Sequence, residues 1–140
     1  MGMYTEINVC FDLGKNTPKS VIEILYYLIE GTNSPSILPK HNFFKCDRWD
    51  RIARCNSYYF DGSTLSKIIF DNISKTWKVN IRANLKNYNF EIEEFLDWLQ
   101  PYIETKGFIG YKRYEECEDP TLIYTDFDNN EIVFKQVYGE

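Results

Sequence analysis

Three of the five arginines in this chain, Arg48, Arg51 and Arg54, recur at every third position around Trp49, with Tyr59 shortly beyond. A guanidinium is a planar fork of donors that matches phosphate or carboxylate, and an aromatic ring stacks on a base. Arg48, Trp49, Arg51, Arg54 and Tyr59 therefore form one candidate site, for an anionic nucleotide-like ligand. The competing account is local ion pairing, because Asp47, Asp50 and Asp61 lie among the same residues.

A second group has the opposite sign. Glu91, Glu94 and Asp97 fall at helical spacing, and Glu115, Glu116 and Glu118 follow Tyr111 and Tyr114 closely. Residues 1–86 hold 12 basic against 8 acidic residues, and residues 87–140 hold 4 against 13, so the net charge of −5 arises from an acidic C-terminal part. An acidic surface with tyrosine anchors suits docking on a basic protein surface. Glu91, Glu94, Asp97, Tyr111, Tyr114, Glu115, Glu116 and Glu118 are the expected protein-binding residues, with a merely solvated helix face as the alternative.

Other chemistries lack their residues. His41 is the sole histidine, and no nucleophile–base motif surrounds it or the nearby Cys46. The spacing of His41, Cys46 and Cys55 matches no common zinc pattern. Cys10, Cys46, Cys55 and Cys117 include no C-x-x-C pair and read as reduced thiols. Gly107 and Gly110 precede a strand pattern and not a helix, which removes a phosphate-cradling loop. No catalytic residue, cofactor or metal is expected, and the protein reads as a non-enzyme. Lys78, Arg82 and Lys86 line one strand face, but Asn80 and Asn84 interleave with them where stacking rings would be needed. With an isoelectric point near 5.0, nucleic acid is disfavoured as a partner. The longest apolar run, 24–29, is too short to span a bilayer, and the first residues show no leader pattern. The expected location is cytoplasmic, without a membrane partner.

The elements that must position these residues are legible from periodicity. Trp77, Val79, Ile81, Ala83 and Leu85 alternate with polar neighbours, the period-two mark of a half-buried strand. Ile92, Phe95, Leu96 and Leu99 then recur at helical spacing, with Pro101 predicting a kink or a fresh turn. Ile7, Val9, Phe11 and Leu13 mark a first strand. Thr17 and Pro18 predict the start of a first helix, and Gly31 predicts its end. A short helix is expected over 47–54. Further strands are expected at 57–60, 65–70, 108–114, 121–127 and 132–138, with Gly107 closing the second helix. The order is β-α-β-β-β-α-β-β-β. A chain of 140 residues suits one domain, 1–140. The predicted fold is α+β: a single layer of mostly antiparallel sheet with two helices packed on one face.

Several phrases carry a resemblance. They are Met3-Tyr4-Thr5-Glu6-Ile7, Cys55-Asn56-Ser57-Tyr58-Tyr59-Phe60, Asn84-Leu85-Lys86-Asn87-Tyr88 ahead of Glu91-Ile92-Glu93-Glu94-Phe95, and Gly110-Tyr111-Lys112-Arg113-Tyr114 ahead of Pro120-Thr121-Leu122-Ile123-Tyr124. Together they resemble small uncharacterised proteins of phages, prophages and mobile elements of low-GC Gram-positive bacteria. The resemblance implies a setting and no catalytic residues. Accessory proteins of such elements are often inhibitors of host defence or of toxins. The leading expectation is therefore an accessory inhibitor that docks on a host protein with a basic surface. The alternative is a protein that binds or sequesters an anionic nucleotide. The sequence leaves open a homodimer through the bare face of the sheet.

Overall fold

Alternating side chains dictate a sheet with one dry face. The computed structural model describes residues 3–57, 64–129 and 131–137. β1 (Thr5–Leu13) buries Ile7, Val9, Phe11 and Leu13, and β3 (Thr76–Leu85) buries Val79, Ile81, Ala83 and Leu85. The two pair antiparallel along their length, from Thr5 opposite Leu85 to Leu13 opposite Trp77. β4 (Gly107–Tyr114) flanks β1 on its other side, β2 (Lys67–Asp71) flanks β3, and β5 (Thr121–Thr125) and β6 (Ile132–Gln136) extend the sheet beyond β4. The order is β2-β3-β1-β4-β5-β6, with every neighbouring pair antiparallel.

Two helices connect strands that are not neighbours. α1 (Lys19–Glu30) joins β1 to β2 past β3, and α2 (Glu91–Leu99) joins β3 to β4 past β1. This is the split β-α-β connectivity, with the β5–β6 hairpin added at one edge. Val21, Ile22, Leu25 and Leu28 of α1 and Ile92, Phe95, Leu96 and Leu99 of α2 enter one cluster with the buried residues of β1 and β3. Both helices therefore lie on the same face, as expected. Around Phe43 this core is aromatic: its ring centroid lies 5.4 Å from Phe95 and 5.7 Å from Trp98. Among the described residues no helix is long and apolar enough to cross a membrane.

Local chemistry moved several boundaries. Thr17 does not cap α1; its hydroxyl donates to the Gly14 carbonyl at 2.7 Å, and Pro18, which lacks an N–H, takes the cap position. Gly31 ends α1 as expected, at φ 76°, its N–H donating to the Tyr27 carbonyl. Residues Trp49–Arg51 form only a 3-10 turn, too short a run for an α-helix to nucleate. α2 stops at Leu99, and a 3-10 turn, Gln100–Tyr102, carries the chain through Pro101. Gly107 consequently opens β4 and does not close the helix. The strand expected at 57–60 falls mostly outside the described residues, and Ser57 is not in a strand.

Among the described residues the other sheet face is largely open, apart from the buried Glu6–Asn84 pair. Asn8, Asp12, Asn80, Arg82 and the exposed Cys10 line its central strands, and Lys78 Nζ donates to Asp12 at 2.9 Å. Arg113 similarly approaches Glu6 at 3.6 Å. β1 and β3 present no aromatic ring there, whereas Tyr111 of β4, opposite Asn8, stands on this face.

Candidate protein-docking groove

The acidic residues of α2 do different jobs. Glu91 opens the helix and is fully buried. Its carboxylate accepts the Arg48 N–H at 3.3 Å and the Asn89 N–H at 3.0 Å. It pins two loops to the positive end of α2, where an anion is favoured, and no partner can reach it. Glu91 therefore leaves the expected docking set: two donors near the helix start needed an internal acceptor. Glu91→Ala is expected to lower stability by about 2–3 kcal/mol, and Glu91→Gln by less, in urea titration followed by circular dichroism.

Glu94 and Asp97, on the outer side of α2, line a groove of about 650 Å³ with Glu93, Glu131, Ile132 and Phe134. The groove runs between α2 and β6. A smaller cleft of about 270 Å³ shares Glu93 and continues past Lys112, Tyr114 and Gln136. Lys112 lies at the junction. Its ammonium donates to Glu93 and sits 5.1 Å above the Phe134 ring, and burial pushes its pKa below the usual lysine range. Among the described residues Glu94 and Glu131 have no cation within ion-pair distance.

Asp97 accepts from His41 Nε2 at 2.9 Å, while His41 Nδ1 accepts the Phe43 N–H at 3.0 Å. The neutral ring therefore carries its proton on Nε2, facing Asp97. Donor atoms of His41, Glu94 and Asp97 lie within 4.8 Å of one another, a spacing that a metal ion would accept. A metal on Nε2 would push the ring proton to Nδ1, against the Phe43 N–H. The backbone thus selects the hydrogen-bonding tautomer over the ligating one, and His41 serves as a strut between the 3-10 turn Asn42–Lys45 and α2.

The remaining expected docking residues do not share this surface. Glu115 accepts the Tyr4 N–H at 2.7 Å and so ties the end of β4 to the start of β1. Glu116 and Glu118 are exposed in the loop that follows. Tyr114 pairs with Thr5 on the helix face, where desolvation, then Glu116 and Glu115, raise its pKa. Tyr111 pairs with Asn8, on the opposite face of the sheet. Tyr111 and Tyr114 cannot anchor one partner surface together, since residues three apart on a strand point opposite ways. Glu131, Ile132, Phe134 and Lys112 are groove residues that sequence reasoning missed. The adjacent apolar residues Ile132, Val133 and Phe134 were the one signal available.

The arginine cluster is also divided. Arg54 Nε donates to the Leu28 carbonyl at 2.9 Å, with its guanidinium 5.8 Å from the Tyr27 ring centre, so it caps the end of α1. Trp49 is half-buried and packed against Phe43, Phe44 and Tyr27 at the edge of the core. Both leave the ligand set because the core and a helix end claim them. Tyr59 lies outside the described residues. Arg48, stacked on Tyr88 at 5.5 Å, and exposed Arg51 remain. With Lys86, Tyr4, Asp47 and Asp50 they line a cleft of about 500 Å³.

Compared with protein-family models, curated proteins and solved structures, this chain matches none. Its chemistry must be read from its own side chains. The thiols show this simply. Cys46 is buried, with Sγ 3.4 Å from the Asn89 carbonyl, and its pKa is raised by burial and then by Glu91, Glu94 and Asp47. Cys10 and Cys117 are exposed. Iodoacetamide at mildly alkaline pH is expected to alkylate Cys10 and Cys117 well before Cys46, as read by mass spectrometry of tryptic fragments.

Proposed function

We propose that this is a non-enzymatic binding protein that blocks a larger partner by docking on a basic surface of it, with the groove between α2 and β6 as the contact. The observation that carries the reading is the pairing of Glu94 and Glu131, which lack local counter-ions among the described residues, with the exposed ring of Phe134 and the half-buried Ile132 in one concavity. Carboxylates steer and orient a cationic partner, and apolar surface beside them supplies affinity. The sequence phrases add the setting: an accessory inhibitor of a phage or mobile element, acting in the cytoplasm on a host defence or toxin protein. Glu116 and Glu118 extend the same negative field without lining the groove.

The test is charge reversal with a partner isolated on the immobilised protein. Glu94→Lys with Asp97→Lys is expected to leave the circular dichroism spectrum intact and to weaken binding by roughly two orders of magnitude. Wild-type affinity should fall steeply between about 0.05 M and 0.5 M salt. Affinity that is flat across that range removes the reading.

The cleft around Arg48, Arg51 and Lys86 favours a second reading, an anionic nucleotide ligand, because three cations converge there. Asp47 and Asp50 in the same lining oppose it. Nucleotide binding would raise the melting temperature through ligand linkage, and a flat response across a nucleotide panel eliminates it.

A further inference from the structure

β6 is the outermost strand of the sheet, beyond the split β-α-β unit. On β5 the helix-face residues Ile123 and Thr125 are still buried. On β6 cover runs out: Val133 and Phe134, which point to opposite faces, are both exposed, and Ile132 is half-buried. Alternate residues of an edge strand turn their N–H and C=O groups outward, a ready template for another strand. Proteins usually blunt such edges with charges, proline or a bulge. β6 has no proline, pairs with β5 in unbroken register, and carries a single charge, Lys135. The wall along this edge is acidic, formed by Glu93, Glu94, Asp97 and Glu131.

Resting on the docking function above, we infer that the β6 edge takes an extended, lysine- or arginine-bearing segment of a partner protein as a seventh strand. Backbone pairing with β6 supplies the register. Alternation along the incoming strand sends one set of basic side chains into the groove toward Glu94, Asp97 and Glu131, and the other set beside Val133. The charge pattern argues against a second copy as the occupant. Two β6 edges paired antiparallel about a twofold axis would bring two acidic grooves together on one face of the joined sheet.

The test titrates the isotope-labelled full chain with a peptide of about seven residues alternating lysine and valine, and with the same peptide N-methylated along its centre. N-methylation removes strand-pairing donors and keeps every charge. The expected result is amide shifts and slowed hydrogen exchange concentrated in residues 132–136, with binding at least about tenfold weaker for the methylated peptide. Equal binding of both peptides overturns strand addition and leaves acidic docking standing. Binding of neither overturns the inference, and flat salt dependence with the isolated partner would independently remove the docking function. Sedimentation showing a dimer whose β6 amides are already protected would also overturn it, in favour of self-pairing.

Discussion

Gly110→Ala is expected to cost about 4 kcal/mol or more and to lower the melting temperature by roughly 15 °C, if the variant folds at all. Gly110 lies on β4 opposite Val9, beside a register shift in the β4–β5 pairing between Phe108 and Gly110, and its φ of 151° falls where side chains are strained. A methyl group there would sit 2.0 Å from the Asn8 carbonyl oxygen and 2.7 Å from the Val9 Cα. Both atoms belong to the backbone of the central strand, so neither can step aside without breaking the sheet. Gly14→Ala is the informative control. Its added methyl meets the end of the Glu104 side chain, which can rotate away, so a much smaller loss is expected. Thermal unfolding followed by circular dichroism decides the matter, and a Gly110→Ala melting point within a few degrees of wild type would refute the β1–β4 register described above.

Phe43→Ala is the second large effect. Phe43 is fully buried, and its ring meets Phe44 at 4.9 Å, Phe95 at 5.4 Å and Trp98 stacked at 5.7 Å. Removing a ring from such a site loses its transfer free energy and leaves a cavity, about 3–5 kcal/mol together. That is a large share of the roughly 5–15 kcal/mol by which a domain is stable. The effect should reach the groove, because the Phe43 N–H sets the His41 tautomer and His41 holds Asp97. Urea unfolding should show the lost stability. In the folded variant, the His41 ring and Asp97 signals should shift in nuclear magnetic resonance spectra while those of β2, at the far edge, stay in place. Phe43→Leu, which keeps much of the apolar volume, should show a smaller loss and an undisturbed His41 contact.

Much of the architecture was written in local pattern. The alternation in β1 and β3 and the helical stripe of α2 depend only on which side chains must leave water; the two strands emerged with nearly the predicted bounds, while α2 stopped at Leu99, well short of Gly107. Gly31 and Pro101 mark chain turns through their own backbone constraints. Even the Lys78–Asp12 bridge follows from two wet strand faces meeting. The candidate sites were less legible because spacing does not say which neighbour claims a side chain. Arg48, Arg51 and Arg54 look equivalent along the chain. In space Arg54 closes the end of α1, Arg48 lies on Tyr88, and Arg51 is exposed, with no such contact among the described residues. Glu91 and Glu94 are likewise three residues apart on one helix, yet one satisfies buried amides and the other faces a groove.

The sequence alone determined the class of the fold, the reduced state expected of its thiols and the sign of its C-terminal charge, because each depends on composition or on contacts within a few residues. The tertiary structure decided the strand order, the burial of Glu91, the packing of Trp49 against the core, and the meeting of α2 with β6 across more than thirty residues of chain. The reason is geometric. A groove exists only where two distant elements come together and a third fails to cover them, and no local pattern records a missing neighbour.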